Sequence, residues 1–388
     1  MSNRGIILLL MTLTFSACNS YNYNVLKVDE NTLAPKKFGY YYSLPRNVIS
    51  IDITVLKTKK IAGPYATFAD KYLGIKNAPQ INSVKFEMTD IKINSYAEPD
   101  PEQFYFVGLG KFKNSKAHAM MLRMNESGII QDVNDNSDAL VLQEKINEKE
   151  KSNIDYTETF KYFADANLRE QIDTIIEKVN MDTGIVVKQI LKRSLVEKTL
   201  EEKASEAANF ITKVKQERLD ILTGAQEVAY TDASLRLMND ELSKLEDEYM
   251  MLFTGTSQTE TFHYRYTYLP ESQIYNASVP LFKFSNYAGV VDDKFQGGEI
   301  VYIQINRAKN TINLGNFAKN NLPDKTKNIG FYYRVPEYSK FSIIYQKDLK
   351  AEASFLISQF GVVLNLPAVN NKIQFFPNTG AIRKVEVK

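Results

Sequence analysis

Apolar and polar residues alternate along most of this chain, and a helical period interrupts them in the middle. In "GYYYSLPRNVISIDITVLKTKK", Val48, Ile49, Ile51, Ile53 and Val55 fall at near-alternate positions, with Gly39 and Pro45 as punctuation. A period of two puts successive side chains on opposite faces, which predicts a half-buried strand. "GPYATFADKYLGI" predicts a short helix, with Pro64 at its first position and Gly74 at its stop. "INSVKFEMTDIKINSYA" and "QFYFVGLGKF" predict two strands separated by a turn at "EPDPE".

Past residue 139 a charged stretch, "QEKINEKEKSN", precedes "DTIIEKVNMDTGIVVKQILKRS". The second piece fits two strands around a turn at Asp182-Thr183-Gly184. The period then becomes three to four. Leu200, Ala204, Ala207, Ile211, Val214 and Ile221 form one seam, broken by Arg218 and closed by Gly224. Thr199 with Glu202 has capping-box spacing. A second seam runs through Leu235, Met238, Leu242, Leu245, Tyr249 and Leu252 to Gly255. Two helices of matched length on a short loop fold back as an antiparallel hairpin. Their seams suit internal packing or a partner. Beyond Gly255, "TFHYRYTYLP", "LFKFS", "EIVYIQINRA", "GFYYRVPEYSKFSIIYQ" and "KIQFFPNTGAIRKVEV" alternate again.

These patterns predict an α+β fold of antiparallel β-rich modules with an inserted long antiparallel helical hairpin. The expected organisation is a signal peptide over 1–17, a flexible tether over 18–37 and an N-terminal β-rich module over 38–138. A mixed region over 139–255 holds the hairpin at about 199–253, and a C-terminal β-rich module covers 256–388.

The first segment rests on Arg4, a short apolar run from Gly5 to Phe15, then Ser16, Ala17 and Cys18. Basic start, apolar core and small residues describe a secretory signal. The run falls short of the roughly 20 residues that span a bilayer. Cys18 is the sole cysteine, and Phe15-Ser16-Ala17-Cys18 resembles a lipobox with Phe15 in place of the usual Leu. The expectation is lipid attachment at Cys18, which holds the chain to a membrane. Several acyl chains anchor stably where one does not.

Composition narrows the chemistry. The net charge of +2 argues against nucleic acid. The two histidines, His118 and His263, are too few for a His-based zinc site, and neither lies near a nucleophile-elbow pattern. Asp132, Asn134 and Asn136 have the spacing that opens an EF-hand loop, but Ser137 stands where Gly is needed and Gln143 where Glu is needed. A polar turn is the expectation there. The only carboxylate candidates for catalysis are Asp292-Asp293 and the group Glu98, Asp100 and Glu102. No catalytic residue, cofactor or metal site is expected.

One phrase recurs. Gly39-Tyr40-Tyr41-Tyr42-Ser43-Leu44-Pro45 is echoed by Gly330-Phe331-Tyr332-Tyr333-Arg334-Val335-Pro336, and more loosely by Arg265–Pro270. It signals either a duplicated β module that offers tyrosines to a ligand or a repeated packing solution.

The lipobox, "GPYATFADKYLGI", "EEKASEAANFITKVKQERLDILTG", "LEDEYMMLFTG", "LFKFSNYAGVV", "GFYYRVP", "SQFGVVLNLP" and "IQFFPNTGAIRKVE" occur in this order. Together they resemble an uncharacterised Bacteroidota-type lipoprotein family that carries a domain of unknown function. The resemblance implies an envelope lipoprotein and no assigned reaction. The expected function is a non-enzymatic, lipid-anchored cell-envelope protein, in the outer membrane, that binds or scaffolds another envelope component. The alternative is a small-ligand or glycan-binding lipoprotein that uses exposed tyrosines.

Overall fold

A computed structural model describes residues 23–29, 38–109, 121–133, 160, 162, 168–181, 184–225, 230–321, 330–366 and 371–387. The N-terminal part holds β1 (Tyr23–Val28), β2 (Gly39–Ile61), a 3₁₀ turn (Ala66–Phe68), α1 (Ala69–Leu73), β3 (Ser83–Leu109), β4 (Leu122–Met124) and β5 (Ile130–Val133). The middle holds β6 (Leu168–Met181), β7 (Gly184–Glu197), α2 (Leu200–Thr223) and α3 (Asp232–Thr254). Then follow β8 (Thr256–Tyr268), β9 (Asn276–Ser285), β10 (Gly289–Val291), β11 (Glu299–Arg307) and α4 (Ile312–Asn321). The chain closes with β12 (Phe331–Tyr345), β13 (Asp348–Leu366), β14 (Asn371–Phe375) and β15 (Ile382–Val387). The fold is α+β with antiparallel sheets, as the patterning predicts.

Among the described residues four sheets form, in the orders β1-β3-β2-β8, β10-β9-β11-β12-β13, β15-β14-β5-β4 and β6-β7. The first two pack face to face. Ile49, Ile51, Ile53 and Val55 of β2 meet Phe282 and Phe284 of β9, Val301, Ile303 and Ile305 of β11, and Phe341 and Ile343 of β12. Their alternation is the period-two pattern of the sequence, realised as one buried face per strand. Cutting one such isoleucine to alanine costs about 2–5 kcal/mol. A second core gathers Val25, Tyr42, Leu44, Tyr105, Val107, Phe331, Ile373 and Phe375 under the third sheet.

The long strands β2 and β12 run through both cores. Each shifts register at its aromatic-proline phrase, one residue apart in the two copies. Ser43 pairs with Phe104 and Pro45 with Pro99, so residues 100–103 stand opposite Leu44 alone. Val335 pairs with Val362 and Glu337 with Ile357, so residues 358–361 stand opposite Pro336 alone. Proline lacks the ladder donor, and in each phrase the partner strand bulges at the proline or at the residue just before it. Gly361 is required here, because a Cβ on it would lie 1.9 Å from the Val335 carbonyl oxygen. Each phrase strand also carries an antiparallel neighbour on its other edge, β8 beside β2 and β11 beside β12. Two halves of the chain thus repeat one three-stranded plan.

Several expectations are corrected. "EPDPE" is no turn between strands; it is the bulge inside the continuous β3. Residues 23–28, within the stretch expected to be a flexible tether, form β1 along β3, with Val25 fully buried. The N-terminal and C-terminal β-rich stretches interleave: β8 extends the sheet of β2, and β14 pairs with β5. Pro64 precedes the 3₁₀ turn, while Gly74 does close α1, in the left-handed conformation at φ 69°.

The two helices start and stop where their caps place them. Thr199 and Glu202 make the reciprocal capping box, Thr231 caps α3 by accepting from the Ser234 amide, and Gly224 is left-handed at φ 70°. Arg218, the polar break in the first seam, bonds Glu246 across the helix pair. At the base of the hairpin, Ala204, Ala207, Ala208, Ile211, Leu252 and Phe253 pack on Tyr65, Ala66 and Ala69.

Candidate functional site

Between the two β cores lies a belt of buried polar groups built by the bulges. Asp100, at the tip of the first bulge, accepts from Arg334 Nη2 of β12 at 2.5 Å, and Arg334 Nη1 donates to the Pro45 carbonyl at 2.7 Å. The second bulge returns the contact. The Ser358 amide donates to Asn47 Oδ1 at 2.8 Å, and Gln359 exchanges bonds with the Asn47 amide and carbonyl at 2.9 and 2.8 Å. The turn between β14 and β15 caps the belt: Asn378 accepts from Asn47 Nδ2, and Gly380 accepts from the Arg334 amide. Buried polar groups need partners, and these have them.

A second buried ion pair sits beside the belt. Glu337, fully buried, accepts from Arg307 Nε at 2.7 Å, Arg307 Nη2 at 2.9 Å and the Thr311 hydroxyl at 2.8 Å. Arg307 lies against the Phe360 and Tyr275 rings, 4.3 and 4.8 Å from their centroids. Burial pushes the Glu337 carboxyl up. The Arg307 and Thr311 hydrogen bonds, the Arg307 charge and the Lys309 amide outweigh it and hold the group below the ordinary carboxylate value. Burial, with Tyr332 beside it, pushes the Tyr105 phenol up.

The residues singled out from the sequence do not converge. Glu98 pairs with Arg46 at 2.6 Å, Asp100 is held by Arg334, and Glu102 is exposed. Asp292 and Asp293 lie exposed in the turn after β10. His263 is exposed on β8, with Nδ1 3.3 Å from Thr54 Oγ1. Asp132 is buried on β5 and accepts from Arg123 Nε at 2.6 Å. Cys18, His118, Asn134, Asn136, Ser137 and Gln143 lie outside the described residues. Among the described residues no group of three or more His, Cys, Asp or Glu could hold a metal. The phrase tyrosines are divided: Tyr42 is buried, Tyr332 stacks on Tyr105 of β3 at 4.4 Å, and Tyr40 and Tyr41 are exposed.

The surface carries two features. One is an open groove of about 860 Å³ on the outer face of β9 and β11, lined by Lys283, Glu299, Tyr302, Gln304 and Gln346. The other is the arm formed by β6 and β7. It pairs without a register shift from Leu168↔Glu197 to Met181↔Gly184, and among the described residues its sheet has no third strand. At 14 residues per strand it extends roughly 46 Å. One face carries Leu168, Leu195, Ile172, Leu191, Ile176 and Val187 in a zigzag, and each is more than half exposed. Glu170, Arg193 and Lys178 interleave with these apolar side chains of the arm. At its base Arg169 reaches Glu202 at 3.2 Å, and α2 follows directly.

The sequence located the arm's two strands but not their exposure. The available signal was charge on both faces: Glu170, Lys178 and Arg193 share the zigzag face, while Asp173, Glu177, Lys188 and Lys192 lie on the other. The buried ion pairs were missed because Arg334 and Glu337 flank a proline, where the alternation shifts phase.

This geometry defines an α+β protein of two stacked β cores with a projecting β arm and a helical hairpin. Residues 38–383 match the family described as Domain of unknown function (DUF4831), and the chain belongs to that family. No curated protein and no solved structure matches it.

Proposed function

We propose that this is a non-enzymatic lipoprotein of the cell envelope, anchored in the outer membrane through Cys18, that holds another envelope protein by its projecting arm. The observation that carries this reading is the β6–β7 ribbon, whose apolar zigzag is left open to solvent. A two-stranded ribbon is marginal in water and gains stability from a partner surface. The engagement of Asp100 and Glu337 by arginines supports a structural role for those carboxylates over a catalytic one. The anchor rests on the sequence from Arg4 to Cys18.

The test places a photo-crosslinking residue at Ile176, at Leu191, or at Tyr287, which is 85% exposed away from the arm, in the native envelope. The expected result is a discrete adduct with another envelope protein from the two arm positions, lost in Cys18→Ala. No adduct, or the same adducts from Tyr287, sinks the reading. The groove at Tyr302 favours a second reading, a small-ligand or glycan site. A glycan array on which Tyr302→Ala binds as well as wild type removes it.

A further inference from the structure

We infer that the arm pairs with the arm of a second copy of this chain, β6 against β6, through a two-fold axis at Thr174. This deepens the proposed binding role of the arm, on which it rests, by naming one occupant.

The edge of β6 is an open template. Among the described residues it pairs only with β7, and the 14 residues contain no proline and no bulge. Exposed edges are usually blunted by proline, bulges or charges, because unpaired amides and carbonyls recruit another strand; of these β6 carries only charges, and their order decides what it can pair with. A ribbon that gains further strands also reaches independent stability, and two paired arms make a four-stranded sheet.

The sequence of β6 is complementary to itself in one register. With Thr174 opposite Thr174 of the second copy, Ile172 faces Ile176 and Glu170 faces Lys178, each pair occurring twice by symmetry. On the other face Arg169 meets Val179, Gln171 meets Glu177 and Asp173 meets Ile175. No like charges stand directly opposed. Residues directly opposite across antiparallel strands set the pairing energy, and opposite charges there favour it. The β7 edge is a poorer candidate, since Lys188, Lys192 and Arg193 outnumber Glu197. Pairing β6 with itself also closes the assembly as a dimer, whereas β6 against β7 propagates without end.

The test uses the full chain carrying Cys18→Ser, so that lipid cannot cause association. Sedimentation is expected to show a reversible dimer. Glu170→Lys sets two Lys–Lys oppositions, and Lys178→Glu sets two Glu–Glu oppositions. Each is expected to weaken dimerisation by about tenfold or more. An equimolar mixture of the two restores a dimer, because every opposition becomes Lys–Glu again. Glu170 and Lys178 lie far apart along one arm, so a defect within a single chain cannot produce that rescue. Thr174→Cys is expected to form a disulfide-linked dimer on mild oxidation, and Leu191→Cys is not. A monomer at all concentrations, open-ended multimers, or no restoration on mixing overturns the inference. A monomer that still gives arm-specific adducts with another envelope protein overturns the dimer alone and leaves the binding role standing.

Discussion

The Glu337→Gln substitution tests the buried ion pair most directly. The carboxylate accepts from Arg307 Nε and Nη2, from Thr311 and from the Lys309 amide at 3.3 Å. A glutamine keeps the shape but brings an NH₂ group. If its oxygen stays on Arg307 Nε and Lys309, that NH₂ faces Arg307 Nη2, donor against donor. Arg307, whose side chain is 6% exposed, then carries an uncompensated charge. Breaking a buried pair in this way costs about 3–5 kcal/mol. Arg307 keeps the carbonyls of Ser272, Ile274 and Phe360, so the low end of that range, about 3 kcal/mol, is expected. Urea unfolding followed by tyrosine emission and circular dichroism measures it, since the chain has no tryptophan. Glu352→Gln, in an exposed pair with Lys340, is the control and leaves the midpoint unmoved. The acid side carries a sign as well. The folded carboxyl lies below its unfolded value, so its contribution is fully present above that unfolded value and is lost as pH falls through the folded one. The gap between wild type and Glu337→Gln therefore narrows in acid. A loss under about 1 kcal/mol near neutral pH, or a gap that widens in acid, would refute the reasoning.

Three further outcomes follow from local geometry. Thr199→Ala removes the capping box and lowers stability by about 1 kcal/mol, read as an earlier unfolding midpoint, with Thr199→Asn close to wild type. Gly255→Ala is more damaging than Gly224→Ala: both glycines have φ near 70°, but a Cβ at Gly255 falls 2.2 Å from the Ile61 carbonyl oxygen, while that at Gly224 meets open space. Parallel thermal melts of the two variants check the order. Asp100→Asn strands Arg334 between the cores and costs more than Glu98→Gln, whose Arg46 partner is 27% exposed, in the same unfolding assay.

Much of the fold was legible because its local signals agree. Ile49, Ile51, Ile53 and Val55 announced their face by alternation, and Thr199, Gly224 and Gly255 announced the helix ends by capping chemistry. What could not be read was non-local. Asp100 looked like part of a proline-bounded turn; beyond the local Glu102 amide, its carboxylate is matched by the Arg334 guanidinium, 234 positions away. Tyr23–Val28 looked polar and loose, yet the free edge of β3 makes it a strand. The arm alternated as any strand does; that neither edge finds another strand among the described residues is a property of the assembled sheets.

The exchanged bulges also dictate an order of assembly. Asn47 waits for Gln359 and Asn378, which lie 312 and 331 positions later, and Asp100 waits for Arg334. A chain that emerges N-terminus first can zip β2 to β3 early, but that ribbon presents a bare isoleucine face until β9 and β11 arrive, and an unmatched Asp100 until Arg334 arrives. Long-range closure of this kind is slow and exposes the waiting strands to misassociation. The final turn, Asn378 to Gly380, acts as a latch, and a chain cut short before it leaves Asn47 Nδ2 and the Arg334 amide without these acceptors.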